Sequence, residues 1–183
     1  MSDSKELSKV SYFCSKSNRM KIGFDAKRVY QNYTGLGNYS RDLVRNLLTY
    51  YPQHQYFFYA PKVVENERVA FLKTYDNVVI RTPKSSLHKT FKGIWRSIDL
   101  DKELTKDGIA IYHGLSNEIP KRVKESKVKH IVTIHDLIFK RFPDTYNAID
   151  RNIYDRKFKY SALNSDKIIA ISEQTKQDRK SVV

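Results

Sequence analysis

The 183-residue sequence predicts a doubly wound α/β domain built on a parallel sheet. Two observations carry this. Short apolar runs alternate with helical patterns along the chain, as in successive β-α units. Several of the runs are also continuously apolar instead of alternating. Strands look this way when both faces are buried, as in parallel sheets covered by helices.

Taken in order, residues 1–19 carry Ser and Lys without periodicity and are expected to be a disordered extension, leaving 20–183 as the domain. The first strand is placed at 21–24 and ends in Asp25. A ten-residue polar loop leads to Gly35 and Gly37. Tyr39, Leu43, Val44, Leu47 and Leu48 then fall on one face of a helix running to about 51, where Pro52 stops it. The second strand is 56–60, ended by Pro61, and the third is 78–80. Phe91, Ile94, Trp95 and Ile98 have helical spacing and mark a helix reaching about 105. Strand four, 109–112, ends in His113-Gly114; strand five, 131–134, ends in His135-Asp136. Tyr146, Ile149, Ile153, Tyr160 and Leu163 mark a long helix between Pro143 and Asp166. Strand six, 168–171, ends in Ser172, and a polar helix starts near Glu173.

The formal charge is +14, from 34 Lys and Arg against 20 Asp and Glu. Such an excess points to an anionic partner or to a plainly solvated basic surface. Nucleic acid is the weaker partner, because the basic residues scatter over many elements and the aromatics form no RNA-binding pattern. A lone cysteine, Cys14, excludes a disulfide framework and fits a reducing, cytoplasmic setting. The five histidines have no ligand-like spacing, so no metal site is expected. No apolar run approaches the ~20 residues of a membrane span, and the first residues lack the apolar core of a secretory signal.

In open parallel sheets, ligands bind beyond the carboxyl ends of the strands. That edge collects Asp25 with Gly35 and Gly37, then His113, His135-Asp136 and Ser172. Glycines ahead of a helix let backbone N–H groups approach a phosphate or a sugar hydroxyl, or simply form a tight loop. The spacing is not the dinucleotide fingerprint, since the third glycine is missing and the glycines do not directly follow the strand. An imidazole at a strand end can donate to a hydroxyl or shuttle a proton, or cap a loop. Ser172 reads first as the N-cap of the last helix.

Together, Phe-Asp-Ala-Lys-Arg after the first strand, Thr-Gly-Leu-Gly-Asn-Tyr-Ser-Arg-Asp-Leu, Ile-Tyr-His-Gly, Val-Thr-Ile-His-Asp-Leu and Ile-Ile-Ala-Ile-Ser-Glu-Gln-Thr-Lys-Gln-Asp occur in that order. This resembles the amino-terminal domain of family 4 glycosyltransferases, which have two facing Rossmann-like domains, the GT-B architecture. The His-Asp-Leu form is most similar to the mannosyltransferase-type members. The resemblance implies transfer of a sugar from a nucleotide sugar to a glycan or lipid-linked acceptor, with retention and without a cofactor or metal, and acceptor binding by this domain. By position it implies that His135 is catalytic and faces the donor sugar. Gly35, Gly37, Asn38, Tyr39, His113, Asn117, Asp136 and Ser172 would bind substrate.

The family's carboxyl-terminal domain holds the nucleotide and a pair of glutamates eight residues apart. Glu118 and Glu125 are seven apart, so no such pair is present. The chain therefore reads as the acceptor half of an enzyme, needing a carboxyl-terminal domain or a separate partner chain, or else as a non-catalytic remnant. A basic nucleic-acid-binding α/β module is the other alternative. Acceptors of such enzymes often lie at the inner face of a membrane. Lys84, Lys89, Lys92 and Arg96 near Phe91 and Trp95, and Lys121, Arg122, Lys124, Lys127 and Lys129 in one loop, would suit peripheral contact there. The plainer reading puts Trp95 in the core and the lysines in solvent. The purified 183-residue chain is expected to neither transfer nor hydrolyse a nucleotide sugar at a useful rate; release of free nucleotide above background would overturn this reading.

Overall fold

A computed structural model describes residues 19–84, 95–121 and 127–180. Residues 1–18, with Cys14, lie outside them, as do Lys89, Phe91, Lys92, Arg122 and Lys124. The strands are β1 (Lys21–Asp25), β2 (Gln55–Tyr59), β3 (Val78–Arg81), β4 (Ile111–Gly114), β5 (Lys129–Ile134) and β6 (Lys167–Ala170). The helices are α1 (Lys27–Gln31), α2 (Gly35–Tyr50), α3 (Leu100–Asp107), α4 (Ile138–Arg141), α5 (Ala148–Asn164) and α6 (Glu173–Lys180). A 3₁₀ turn covers Glu67–Thr74, and a π-helical turn, Trp95–Asp99, leads into α3.

All six strands are parallel, in the order β3-β2-β1-β4-β5-β6. This is a Rossmann-like arrangement, and the strand order reverses between β1 and β4. Alternate side chains of each strand point to opposite faces. One face carries Phe24, Tyr56 and Phe58, covered by Val29 and Tyr30 of α1, Val44 and Leu48 of α2, and Val69 and Leu72 of the 3₁₀ turn. The other carries Phe57, Tyr59 and Tyr112 beneath Trp95, Leu100 and Leu104. Further along that face, Phe158 of α5 packs on Val132 and Ile134. Trp95 is fully buried and donates to Glu103 at 2.8 Å, so its ring is a core ring and not a membrane anchor. No helix among the described residues is long and apolar enough to cross a membrane.

Several boundaries differ from the sequence reading. Gly35 and Gly37 do not precede the helix; they are its first turn, with Thr34 at the N-cap position. The side chain of Asn32 fills the cap role instead, accepting from the N–H groups of Thr34 (3.0 Å) and Gly37 (2.9 Å). β4 lies two residues later than expected, so His113 and Gly114 belong to the strand. α1 and the 3₁₀ turn were not expected. α1 is five residues long, too short to show a period or to hold alone, and is fixed by burying Val29 and Tyr30. In α5 only part of the expected apolar face turns inward: Tyr160 packs against the core beside the buried Phe158 and Ser161, whereas Ile149 is 74% and Leu163 68% exposed.

Two glycines are dictated by close approach. A Cβ on Gly37 would stand 2.0 Å from the Asn32 carbonyl oxygen, and one on Gly114 would stand 2.0 Å from that of Glu118. Around Gly35 there is open space. Gly37→Ala is therefore expected to destabilise by at least roughly 1–3 kcal/mol, while Gly35→Ala is neutral or stabilising by up to about 1 kcal/mol. Urea unfolding of both variants checks the contrast; equal midpoints would refute it.

Candidate functional site

The site is built where β4 and β5 end beside the first turns of α2. Thr133 of β5 is buried and its hydroxyl joins two groups: His113 Nε2 at 2.8 Å and the Tyr39 phenol oxygen at 3.2 Å. Tyr39 also sets its ring edge-on to the His135 imidazole, with centroids 4.9 Å apart at 87°. His113, His135, Thr133 and Tyr39 thus form one connected group drawn from three elements.

Both histidines are buried. Burial first, and then the neighbouring His135, lower the His113 pKa to about 4, so its ring is neutral at pH 7. His135 Nε2 donates to the Leu115 carbonyl at 2.8 Å. With Nε2 committed to a carbonyl, Nδ1 is the ring nitrogen left to meet a ligand.

The backbone of His135 is held at both ends. Its N–H donates to Asn117 Oδ1 at 3.1 Å, and its carbonyl accepts from Thr175 Oγ1 at 3.0 Å. Asn117 adopts a left-handed backbone, φ 57°, which a short polar side chain tolerates. Its N–H donates to the Thr133 carbonyl and its own carbonyl accepts from Ser161 Oγ of α5. The loop after β4, the end of β5, α5 and α6 are thereby pinned to one another.

Beside this group lies a set of ion pairs. Arg96 reaches between Asp25, to which it makes a short ion pair, and Glu118 at 3.3 Å; Glu118 also pairs with Lys157 at 2.8 Å. Asp25 is almost fully buried and also accepts from the Lys27 N–H. Lys27 is held below the usual lysine range, by burial first and then by Arg96 and Arg28. A cleft of about 570 Å³ opens between Glu118, Lys121, Arg156 and Tyr160, within the size range of small-molecule sites.

Of the residues singled out from sequence, Tyr39, His113, Asn117 and His135 come together. Gly37 lies under the first turn of α2 with its N–H committed to Asn32, so it offers no donor to a phosphate. Gly35 and Asn38 are exposed on that turn. Asp136 is exposed and accepts from the Ile138 N–H, opening α4. Ser172 accepts from the Thr175 N–H at 3.1 Å, the N-cap bond of α6. Thr133 was not singled out, and Arg96, expected among the cations suited to membrane contact, is instead turned inward to pair with Asp25 and Glu118. A hydroxyl within the otherwise apolar run Ile131-Val132-Thr133-Ile134 was the available signal for Thr133. Arg96 is brought to Asp25 across 71 residues, and nothing local marks it. Among the described residues, no group of three His, Cys, Asp or Glu side chains is arranged to hold a metal ion.

No family model, curated protein or solved structure matches this chain.

His113 and the equally buried His130 are both lowered to about 4, chiefly by burial, opposed at His130 by Asp166. The unfolded chain, with ordinary values near 6.5, binds more protons than the folded one between these limits. Stability is therefore expected to fall as pH drops from about 6.5 through 4, at up to about 1.4 kcal/mol per pH unit for each histidine. Urea midpoints between pH 7.5 and 4 measure this. His113→Gln should reduce the slope; an unchanged slope in that variant would show that His113 does not carry it.

Proposed function

We propose that this chain is the acceptor-side half of a retaining glycosyltransferase, moving a sugar from a nucleotide sugar to a glycan or lipid-linked acceptor. The mannosyl group is the sugar that the His-Asp-Leu motif favours. One observation carries the reading: a connected set of hydroxyl, phenol and imidazole groups lies at the carboxyl ends of β4 and β5 in a sheet of order 3-2-1-4-5-6. The edge of an open parallel sheet is where ligands of such folds bind. The order of the motifs along the chain agrees with it.

The chemistry of the group suits a polyol. Sugar hydroxyls each donate and accept, and they are matched by hydroxyl, phenol and imidazole partners. His135 turns Nδ1 to one hydroxyl, while its Nε2 stays bound to Leu115. The Tyr39 ring gives an apolar wall against which a sugar's C–H face packs. In the transfer, the bond between the anomeric carbon and the leaving phosphate breaks as one forms to the acceptor oxygen, whose proton passes to the departing phosphate. The nucleotide and its leaving charge are assigned to the second domain that the resemblance implies. The residues of this chain position the sugar hydroxyls at the edge where the two substrates meet.

The test is binding by the 183-residue chain. Titration with methyl glycosides, methyl mannoside among them, is expected to shift the NMR signals of Tyr39, Thr133 and His135. Tyr39→Ala and His135→Ala should each weaken binding about tenfold, the order of a lost hydrogen bond or ring contact in a buried site. Glycosides that leave these signals unmoved, or that bind both variants as tightly, would reject the reading.

A further inference from the structure

We infer that a second site, on the outer side of α2, binds a phosphate-bearing ligand through Arg41, Arg45 and Arg68. The three arginines line a cleft of about 410 Å³ with Asn38 and Asp42. Asn38, Arg41, Asp42 and Arg45 fall at i, i+3, i+4 and i+7, one stripe of the helix. Tyr39 lies on a different stripe and faces Thr133, so the cleft is separate from the histidine group.

The charge balance sets this place apart. Several cations elsewhere among the described residues face carboxylates: Arg96 faces Asp25 and Glu118, Arg81 faces Asp107, Lys129 faces Asp166, and Lys140 and Lys159 face Asp155. Here three guanidinium groups share Asp42, which pairs with Arg45 at 3.0 Å. Among the described residues no other carboxylate lines the cleft.

The arginines are also held in place. Arg41 is 4% exposed and donates to the carbonyls of Val29 (3.0 Å) and Asn32 (2.8 Å) and to Asn38 Oδ1 (2.7 Å). None of these partners carries charge, so its positive charge is uncompensated by them. The Arg45 guanidinium lies 4.4 Å over the Phe71 ring, and that of Arg68 lies 5.3 Å over Tyr33 while donating to the Tyr33 carbonyl. Stacking on a ring fixes the plane of a guanidinium and leaves its in-plane N–H groups for a ligand. A guanidinium has five N–H donors in a planar fork that matches a phosphate bidentately. Two forks fixed on rings, those of Arg45 and Arg68, beside the buried positive charge of Arg41, suit the tetrahedral oxygens of a phosphomonoester or a diphosphate. A neutral sugar has no such charge for them to meet.

The probes are inorganic pyrophosphate and glycerol phosphate by calorimetry, and vesicles of phosphatidylcholine with or without phosphatidic acid by co-sedimentation. All are tested on the full chain. Binding of a soluble probe without vesicle binding assigns a small phosphorylated ligand; binding that needs phosphatidic acid assigns a lipid headgroup. In either case Arg45→Gln and Arg68→Gln, both at exposed positions, are expected to weaken binding at least tenfold with unchanged thermal unfolding. Lys180→Gln in α6 should bind as the parent does, and so should Tyr39→Ala and His135→Ala, which separates this site from the sugar reading. If no phosphate probe binds, or if the Arg45 and Arg68 variants bind like the parent, the inference fails.

Discussion

The first turn of α2 can sit where it does only because Gly37 has no side chain. The Asn32 carbonyl occupies the space that a Cβ would need. Once the turn is that close, Asn32 caps it from the side and Arg41 threads beneath it to the carbonyls of Val29 and Asn32. These contacts fasten α1 to α2. They also decide where Tyr39 and Arg45 project, one toward Thr133 and one over Phe71. A single steric allowance thus positions two chemically different surfaces of the same helix.

A second constraint acts on the other side of the sheet's midline. Asn117 accepts the strain of a left-handed backbone and in return satisfies a donor on His135, a carbonyl on Thr133 and a hydroxyl on Ser161. Such residues are costly alone and persist where the surroundings over-determine them. Here the surroundings are the loop after β4, the end of β5, and helices α5 and α6. The result is an imidazole fixed in position and tautomer before any ligand arrives. Pre-organisation of that kind reduces the ordering that binding would otherwise require.

The sheet was legible in the sequence because its strands are buried on both faces and read as uninterrupted apolar runs, such as Tyr56-Phe57-Phe58-Tyr59-Ala60. Parallel pairing and helical coverage follow from the same fact. What could not be read was whatever depends on long-range contact. α1 has two buried residues and no period, so only packing under α2 makes it a helix. The facing of α5 was hidden because its exposed residues Ile149 and Leu163 are as apolar as its buried Phe158. In the candidate site, His113 and His135 were marked by their strand ends, while Thr133 was masked by its apolar neighbours. Arg96 owes its role to a partner 71 residues away.

The glycines also divide the chain by how freely it can change. Gly37 and Gly114 are each shut in by a backbone oxygen, so no single substitution there is open to drift without moving the main chain itself. Gly35, two positions before Gly37, has open space where a Cβ would stand. Variation is thereby steered to the outer lip of α2, beside the candidate surfaces, and kept out of the frame that supports them. A chain built this way can explore new ligands by altering its rim one residue at a time while its strand ends stay in register.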